Sequence, residues 1–187
     1  MRVIAGSARG VRLTRVPAGT RPLSDMAREG LFASLAGLVD GARCLDLYAG
    51  TGAGGIEALS RGAERATFVD RSAAAVAAIR ENLRLTGFEA AGAVVRAPVE
   101  RWLSGRAAAQ DAFDLVLCDP PYDLDGASLS GVLASLGAGW LAPEGWTVVV
   151  TRGHKSSPVE VPVHWAVRRQ LRYGDSLLTQ YREERWA

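Results

Sequence analysis

The chain is predicted to fold as an α/β domain around a mostly parallel sheet. Short apolar runs with strand character alternate with longer segments of helical periodicity. This alternation is typical of parallel strands joined by right-handed helical crossovers. Near the carboxyl terminus the strand-like runs 165–173 and 176–183 flank Gly174-Asp175, which predicts a closing antiparallel hairpin. Five parallel strands and this hairpin make a seven-stranded sheet with helices on both faces.

The individual elements follow from local patterns. The predicted strands are short, mostly apolar runs, and the predicted helices place apolar residues at helical spacing. The first helix begins at Ser24 and places Ala27, Leu31 and Leu35 on one face. The later elements are strand 44–48, a helix through Arg61, strand 66–70, helix 72–86, strand 93–96, helix 98–104, strand 113–118, a helix to about Leu136 and strand 146–151.

The amino terminus is predicted to form a β-hairpin. Residues 2–5 and 11–16 alternate apolar and basic side chains, and the stretch 6–10 between them is a turn signal. The alternation places Arg12 on the face opposite Val11 and Leu13. The hairpin is followed by a linker, 17–22, that contains two prolines and a glycine.

Charge divides the chain unevenly. The net charge is +2, but residues 1–28 carry six arginines and one acid, whereas the remainder is slightly acidic. We therefore divide the chain into a basic hairpin arm, 1–20, and a main domain, 21–187. A basic arm favours contact with a polyanion, and a solubilising surface strand is the alternative. The candidate contact residues are Arg2, Arg9, Arg12, Arg15, Arg21 and Arg28.

Several classes of protein do not fit the composition. No apolar run is long enough to span a bilayer, and no basic-then-apolar leader begins the chain, so a cytoplasmic protein is expected. Cys44 and Cys118 lie in apolar runs and are expected to be buried and unbonded. His154 and His164 lack metal-ligand spacing, and no metal site is predicted.

A glycine-rich turn follows the first strand and opens a helix. Gly50, Gly52 and Gly55 match G-x-G-x-x-G, a pattern that lets the backbone approach a ligand closely. Asp70 lies 20 residues after Gly50, at the end of the second strand, where a carboxylate can accept both hydroxyls of an adenosine ribose. This arrangement suits NAD and S-adenosylmethionine equally well.

Two further features favour S-adenosylmethionine. Asp46 lies inside the first strand, where a carboxylate suits a cationic cofactor, although a helix-capping role is the alternative. The fourth strand ends in Asp119-Pro120-Pro121-Tyr122, which has no role in hydride transfer. The adenine is expected near the third strand's end, at the backbone N–H of Ala97 or Val99. The candidate cofactor residues are Asp46, Tyr48, Ala49, Gly50, Thr51, Gly52, Asp70, Arg71, Ala97 and Asp119.

The four residues after the fourth strand form the candidate catalytic motif. Open α/β sheets bind ligands at the carboxyl ends of their strands. There the motif offers the Asp119 carboxylate, a backbone carbonyl at Pro120 and the ring of Tyr122. A planar base with an exocyclic amino group can use all three. A Pro-Pro loop capped by Asp119 is the alternative.

With these residues the chain resembles a class I S-adenosylmethionine-dependent methyltransferase, with a Rossmann-like fold. More narrowly, it resembles the RsmD family, bacterial enzymes that methylate N2 of one guanine in 16S ribosomal RNA. The resemblance covers nearly the whole chain and rests on five stretches. They are Arg2-Val3-Ile4-Ala5-Gly6 with Arg9-Gly10, Arg21-Pro22-x-x-Asp25-x-x-Arg28-Glu29-x-Leu31-Phe32, Leu45-Asp46-x-x-Ala49-Gly50-Thr51-Gly52, Glu57-Ala58-Leu59-Ser60-Arg61, and Asp119-Pro120-Pro121-Tyr122.

The resemblance implies S-adenosylmethionine as the cofactor and 16S ribosomal RNA as the partner, within the small subunit or an assembly intermediate, and we expect a monomer. It implies Asp119, Pro120 and Tyr122 as catalytic residues. The chain departs from the family where Arg96 replaces the more usual Asn or Asp, which affects the expected adenine contact. Methylation of adenine N6 or of a protein glutamine stays open, since the same motif fits either group. A NAD-dependent oxidoreductase is the alternative of another class.

Overall fold

A computed structural model describes residues 1–14, 23–105 and 112–184. Arg15, Arg21, the predicted linker and the predicted domain boundary lie outside these ranges. The described chain contains five helices and seven strands. In order they are α1 (Asp25–Ser34), β1 (Arg43–Leu47), α2 (Ala53–Ser60), β2 (Arg65–Asp70), α3 (Ala73–Thr86), β3 (Gly92–Arg96), α4 (Val99–Leu103), β4 (Leu115–Cys118), α5 (Gly126–Gly137), β5 (Thr147–Gly153), β6 (Trp165–Tyr173) and β7 (Ser176–Glu183).

The strands form one sheet in the order β3-β2-β1-β4-β5-β7-β6. The first five strands in this order pair in parallel, and β7 pairs antiparallel with both β5 and β6. This arrangement confirms the predicted fold class, including the closing hairpin. The strand order reverses beside β1 and β4, and such a switch point is where open α/β sheets bind ligands.

Side-chain caps explain where the helices begin. Ser24 accepts a hydrogen bond from the Ala27 N–H at 3.1 Å, and Ser72 caps α3 in the same way. Asp125 caps α5 by accepting from the Ser128 N–H at 2.8 Å. These oxygens satisfy N–H groups that have no partner within the first turn of a helix.

Two apolar layers cover the two faces of the sheet. Helices α1, α2 and α3 pack on one face, and α4 and α5 pack on the other. Cys44 and Cys118 are both buried and free, as predicted. Cys118 pairs with Leu47 across β1 and β4, so the two cysteines are three positions out of register. At about 3.3 Å per residue this offset exceeds the reach of a disulfide.

The amino-terminal hairpin is confirmed, and its apolar side chains pack into the core. Arg2 bridges Arg12, and the Val3 N–H donates to the Val11 carbonyl at 3.0 Å. Val3 and Leu13 are buried in the same apolar layer as α1, α2 and α3. Because these side chains belong to the core, removing the hairpin is expected to destabilise the domain.

Hydrogen bonds to α2 and α3 tie the hairpin down further. The buried Glu57 carboxylate accepts from the N–H groups of Ile4 at 2.8 Å and Ala5 at 3.1 Å. Gly6 lies so close to α2 that an added Cβ would approach the Ser60 carbonyl oxygen to 1.6 Å. The alternation did not predict this docking, because Glu57 lies 53 residues from Ile4 in sequence.

No helix within the described ranges has both the length and the apolarity needed to cross a membrane.

Candidate active site

A cavity of about 640 Å³ opens at the carboxyl ends of β1, β2, β4 and β5. This volume lies within the range of roughly 300–1,000 Å³ that is usual for small-molecule sites. The cavity is lined by ten of the predicted catalytic and cofactor residues. They are Asp46, Tyr48, Ala49, Gly50, Thr51, Asp70, Arg71, Asp119, Pro120 and Tyr122. The structure therefore brings the cofactor motif and the catalytic motif together in one site.

The turn between β1 and α2 needs backbone conformations that favour glycine. Gly50 and Gly52 have φ of 56° and 76°, and the Gly52 N–H donates to the Ala49 carbonyl at 2.7 Å. Tyr48 also has a positive φ, 56°, although it carries a side chain. Such strain costs on the order of 1–3 kcal/mol and is common at functional sites.

Tyr48 forms a hydrogen bond to a residue that was not predicted from the sequence. Its hydroxyl donates to a carboxylate oxygen of Glu100, in the first turn of α4, at 2.7 Å. Burial and this hydrogen bond raise the pKa of Tyr48. The pair ties the glycine turn to α4 across the cavity. No local motif marks Glu100, because its partner is distant in the chain.

Asp70 holds the glycine turn and leaves room for a ligand. One carboxylate oxygen accepts from the Gly50 N–H at 2.9 Å, and the other accepts from the Ser72 N–H at 2.8 Å. Each carboxylate oxygen can accept a second hydrogen bond. Asp70 is therefore fixed in place while it keeps acceptor capacity for a pair of hydroxyl groups.

Asp46 both caps α2 and lines the cavity. Its Oδ2 accepts from the Gly55 N–H at 2.8 Å, and the residue is only 5% exposed. Desolvation raises its pKa to about 8, and the charges of Asp119 and Asp70 act in the same direction. The capping role and the ligand role are thus compatible, because only one of the two carboxylate oxygens is used by the helix.

The catalytic motif forms the opposite wall. Asp119 follows β4, and desolvation raises its pKa to about 7, against a hydrogen bond from the Thr151 hydroxyl that lowers it. Thr151 also lines the cavity and was not predicted. The ring of Tyr122 is 59% exposed at the rim. An acidic group inside and an exposed aromatic ring at the entrance suit a planar ligand that arrives from solvent.

The acidic groups of the cavity fit S-adenosylmethionine, which is a cationic ligand. Two carboxyl groups with raised pKa values, Asp46 and Asp119, repel each other, and a ligand that brings positive charge relieves this repulsion. Gly54 lets the start of α2 pack closely on β4, since an added Cβ there would lie 2.9 Å from the Leu117 side chain. The sulfonium and ammonium groups of this cofactor supply positive charge that offsets this repulsion.

Two predicted contacts require correction. The Ala97 N–H donates to the Asp70 carbonyl at 3.1 Å, so it is not free for an adenine, and Ala97 does not line the cavity. Val99 and Glu100 line it instead. Gly52 lies behind the turn, where an added Cβ would meet Phe68 at 3.2 Å. Gly52 thus shapes the turn through packing rather than by forming part of the cavity wall.

The predicted RNA-binding arginines that the structure describes differ in their exposure to solvent. Arg2, Arg9 and Arg12 are exposed on the hairpin, as a surface contact requires. Arg28 is only 2% exposed and lies in the cavity wall, where it pairs with Asp25 at 3.1 Å. A surface phosphate contact for Arg28 is therefore wrong, because helix α1 turns this side chain toward the core.

Fold and site together define a class I S-adenosylmethionine-dependent methyltransferase. The family described as conserved hypothetical protein 95 matches residues 1–182, so the chain belongs to this family, the RsmD family that the motifs predicted.

Relatives and solved structures agree with this assignment. The chain is 33% identical over 187 residues to ribosomal RNA small subunit methyltransferase D of Escherichia coli K12, covering 98% of this chain and 90% of that protein. The counterpart from Haemophilus influenzae is 30% identical over 175 residues, covering 93% and 89%. The solved structure of the Escherichia coli protein yhhF superposes with a TM-score of 0.87 at 31% identity, covering 98% of each chain. A hypothetical protein of Thermus thermophilus gives a TM-score of 0.79 at 35% identity, covering 96% of this chain and 98% of that one.

Proposed function

We propose that this chain transfers a methyl group from S-adenosylmethionine to the exocyclic N2 of a guanine in small-subunit ribosomal RNA. The observation that carries the proposal is the placement of Asp119 and Pro120 on the same cavity as Asp46 and Asp70. The names of the Escherichia coli and Haemophilus influenzae relatives support small-subunit ribosomal RNA as the substrate class. Membership of the RsmD family supports guanine N2 as the target, because the catalytic motif by itself fits adenine N6 and a glutamine amide equally well.

Guanine N2 is a weak nucleophile because its lone pair is delocalised into the ring. The Asp119 carboxylate and the Pro120 carbonyl can accept hydrogen bonds from the two N–H groups of N2 and so direct its lone pair toward the methyl donor. When bound, S-adenosylmethionine supplies an electrophilic methyl group, and the electrons of the broken carbon–sulfur bond stay on sulfur. A bond forms between N2 and the methyl carbon while the carbon–sulfur bond breaks, and N2 then loses one proton.

Asp119 is suited to the charge that develops on N2. Its pKa of about 7 makes it a stronger base than an exposed aspartate, so it can stabilise the positive nitrogen and then accept the proton. The exposed Tyr122 ring can stack on a base that has left its helix, as enzymes that modify bases require. Both roles depend on the carboxylate and the ring facing the same cavity.

The experiment that tests the proposal is methylation with labelled cofactor, followed by mapping of the modified nucleotide. Naked 16S ribosomal RNA, assembly intermediates and complete small subunits are compared as substrates, because we propose a particle rather than naked RNA. We expect one N2-methylguanine. N6-methyladenine, or label in a protein glutamine, would contradict the guanine assignment while leaving the methyltransferase intact. Light scattering on the same sample tests the proposed monomer.

We propose that the hairpin arginines contact RNA phosphates, and point variants test this better than truncation. Arg9→Gln and Arg12→Gln remove exposed charges without touching the buried Val3 and Leu13. Each should weaken RNA binding and reduce the slope of log affinity against log salt by about one, because one counterion fewer is released. Arg65→Gln is the matched control, since Arg65 begins β2 at the sheet edge opposite the cavity. Equal slopes in all three variants would refute the contact.

A further inference from the structure

Arg28 has hydrogen-bonding capacity that its neighbours do not use. Its Nε and Nη1 are buried and have no hydrogen-bond partner among the described residues. Buried guanidinium N–H groups without partners are costly, because they have lost their hydration. A buried water or a ligand can complete the hydrogen bonds of such a group, and Arg28 lies in the wall of the cavity.

The surroundings hold the Arg28 guanidinium in one orientation. Nη2 donates to the Arg2 carbonyl of the hairpin and to Asp25 Oδ1 at 3.1 Å. Nε lies 3.8 Å from Glu57 Oε2, close enough for charge attraction but too far for a hydrogen bond. Nη2 is therefore fixed by two acceptors and Nε faces Glu57, whereas Nη1 has no hydrogen-bond acceptor among the described residues.

The position of Arg28 suits one part of the cofactor. Glu57 follows Ala53 by four residues on α2, so the two share a helix face, and Arg28 packs beside that face. Ala53 and Gly54 begin α2 and line the cavity together with Asp46. The start of a helix favours negative charge. A ligand with one negative and one positive group can thus meet Arg28 and Asp46 at the same end of the cavity.

We propose that Arg28 binds the carboxylate of the amino-acid end of S-adenosylmethionine, and that Asp46 faces its positive groups. The proposal deepens the proposed function, and rests on its cofactor but not on its RNA target. Nη1 can donate a charge-assisted hydrogen bond to a carboxylate oxygen, and the rigid plane of the guanidinium, held by the bonds of Nη2, fixes the direction of that bond. Arg28 is then the residue that distinguishes the complete cofactor from an adenosine thioether without the carboxylate.

The test compares two probes by calorimetry, S-adenosylhomocysteine and its decarboxylated analogue. The wild-type protein should bind S-adenosylhomocysteine roughly 10- to 150-fold more tightly, the range for hydrogen bonds to a charged group. Arg28→Lys keeps the positive charge but loses the planar group whose Nη2 bonds orient Nη1. It should weaken binding of S-adenosylhomocysteine and leave the analogue's affinity unchanged, so that the ratio between the two falls toward one.

Arg61→Lys is the matched control. Arg61 donates to the same Glu57 carboxylate at 2.7 Å but does not line the cavity, so its variant should keep the wild-type ratio. Should Arg28→Lys fail to unfold cooperatively on heating, Arg28→Gln serves in its place, because Glu57 keeps its ion pair with Arg61.

The outcomes separate this inference from the proposed function. A folded Arg28 variant that keeps the wild-type ratio overturns the carboxylate contact, whatever the RNA target. Absence of S-adenosylhomocysteine binding to the wild type overturns the cofactor, and with it both proposals. Wild-type discrimination that depends on Arg28, together with methylation of a group other than guanine N2, would support this inference and contradict only the target assignment.

Discussion

The two halves of the cavity differ in how completely the protein satisfies its own polar groups. In the cofactor half, the carboxylates of Asp46 and Asp70 already accept hydrogen bonds from backbone N–H groups of Gly55, Gly50 and Ser72. In the target half, none of the described backbone N–H groups donates to the Asp119 carboxylate, which has the Thr151 hydroxyl beside it, and Tyr122 is largely exposed.

This difference separates a preformed half from a half that its substrate completes. The backbone bonds of the cofactor half fix the geometry before any ligand binds, which lowers the cost of ordering on binding. The target half holds acceptors in reserve for a group that arrives on a large RNA. Substitutions in the two halves should therefore affect different measured quantities, and the following experiments use that separation.

The largest effect is expected from Asp119→Asn. The variant keeps the size of the side chain but loses the negative charge that faces N2, so kcat should fall roughly 100- to 1,000-fold, as for loss of other preorganised catalytic groups. The affinity for S-adenosylhomocysteine should stay within about two-fold. Asp123→Asn is the control, because Asp123 is exposed on the same loop and lines the same cavity. Near-normal turnover in Asp119→Asn would show that the acceptor role is wrong.

The next largest effect is expected from Asp70→Ala in the cofactor half. Loss of hydrogen bonds to a charged acceptor should weaken cofactor affinity by about 1–3 kcal/mol, measured by calorimetry. Because Asp70 also holds the glycine turn, Asp70→Asn should retain part of the affinity. The affinity for RNA should not change in either variant. If Asp70→Ala binds S-adenosylhomocysteine as well as wild type, the hydroxyl contact is excluded.

Tyr122→Ala should give a smaller effect, confined to the target half. Stacking of a base on an aromatic ring contributes about 1–3 kcal/mol, and an exposed ring should give the lower part of that range. The loss should appear in kcat/KM for RNA and not in cofactor affinity. Tyr122→Phe keeps the ring and should be nearly neutral. Equal losses in both variants would assign the role to the hydroxyl group instead.

The smallest effect is the pH dependence of kcat/KM. Asp119 must be ionised to accept N–H groups, and its pKa is raised to about 7, so activity should be lost as pH falls through 7. Between pH 7 and pH 6 the ionised fraction drops roughly five-fold. A bound cation lowers the pKa of a neighbouring carboxyl. The pH at which kcat falls to half its maximum should therefore be lower than the corresponding pH for kcat/KM. A flat kcat/KM profile between pH 5.5 and 8 would contradict this assignment.

Much of the site could be predicted because its acidic residues lie within strands or directly after them. Asp46, Asp70 and Asp119 lie within or at the ends of apolar runs, and parallel strands bring their carboxyl ends to one edge of the sheet. The chain order of strands and helices then determines which residues share a cavity. The glycine turn was equally visible, since only glycine adopts its positive φ angles without strain.

The sequence by itself determined the alternation of strands and helices, the glycine turn and the catalytic motif, since these depend on local periodicity and backbone preference. Only the tertiary structure decided that the hairpin docks on Glu57, that the Ala97 N–H is used by Asp70, and that Arg28 lies in the cavity wall. Each of these contacts joins residues from different elements. Their energies depend on burial and on the partners available in three dimensions, which no local pattern encodes.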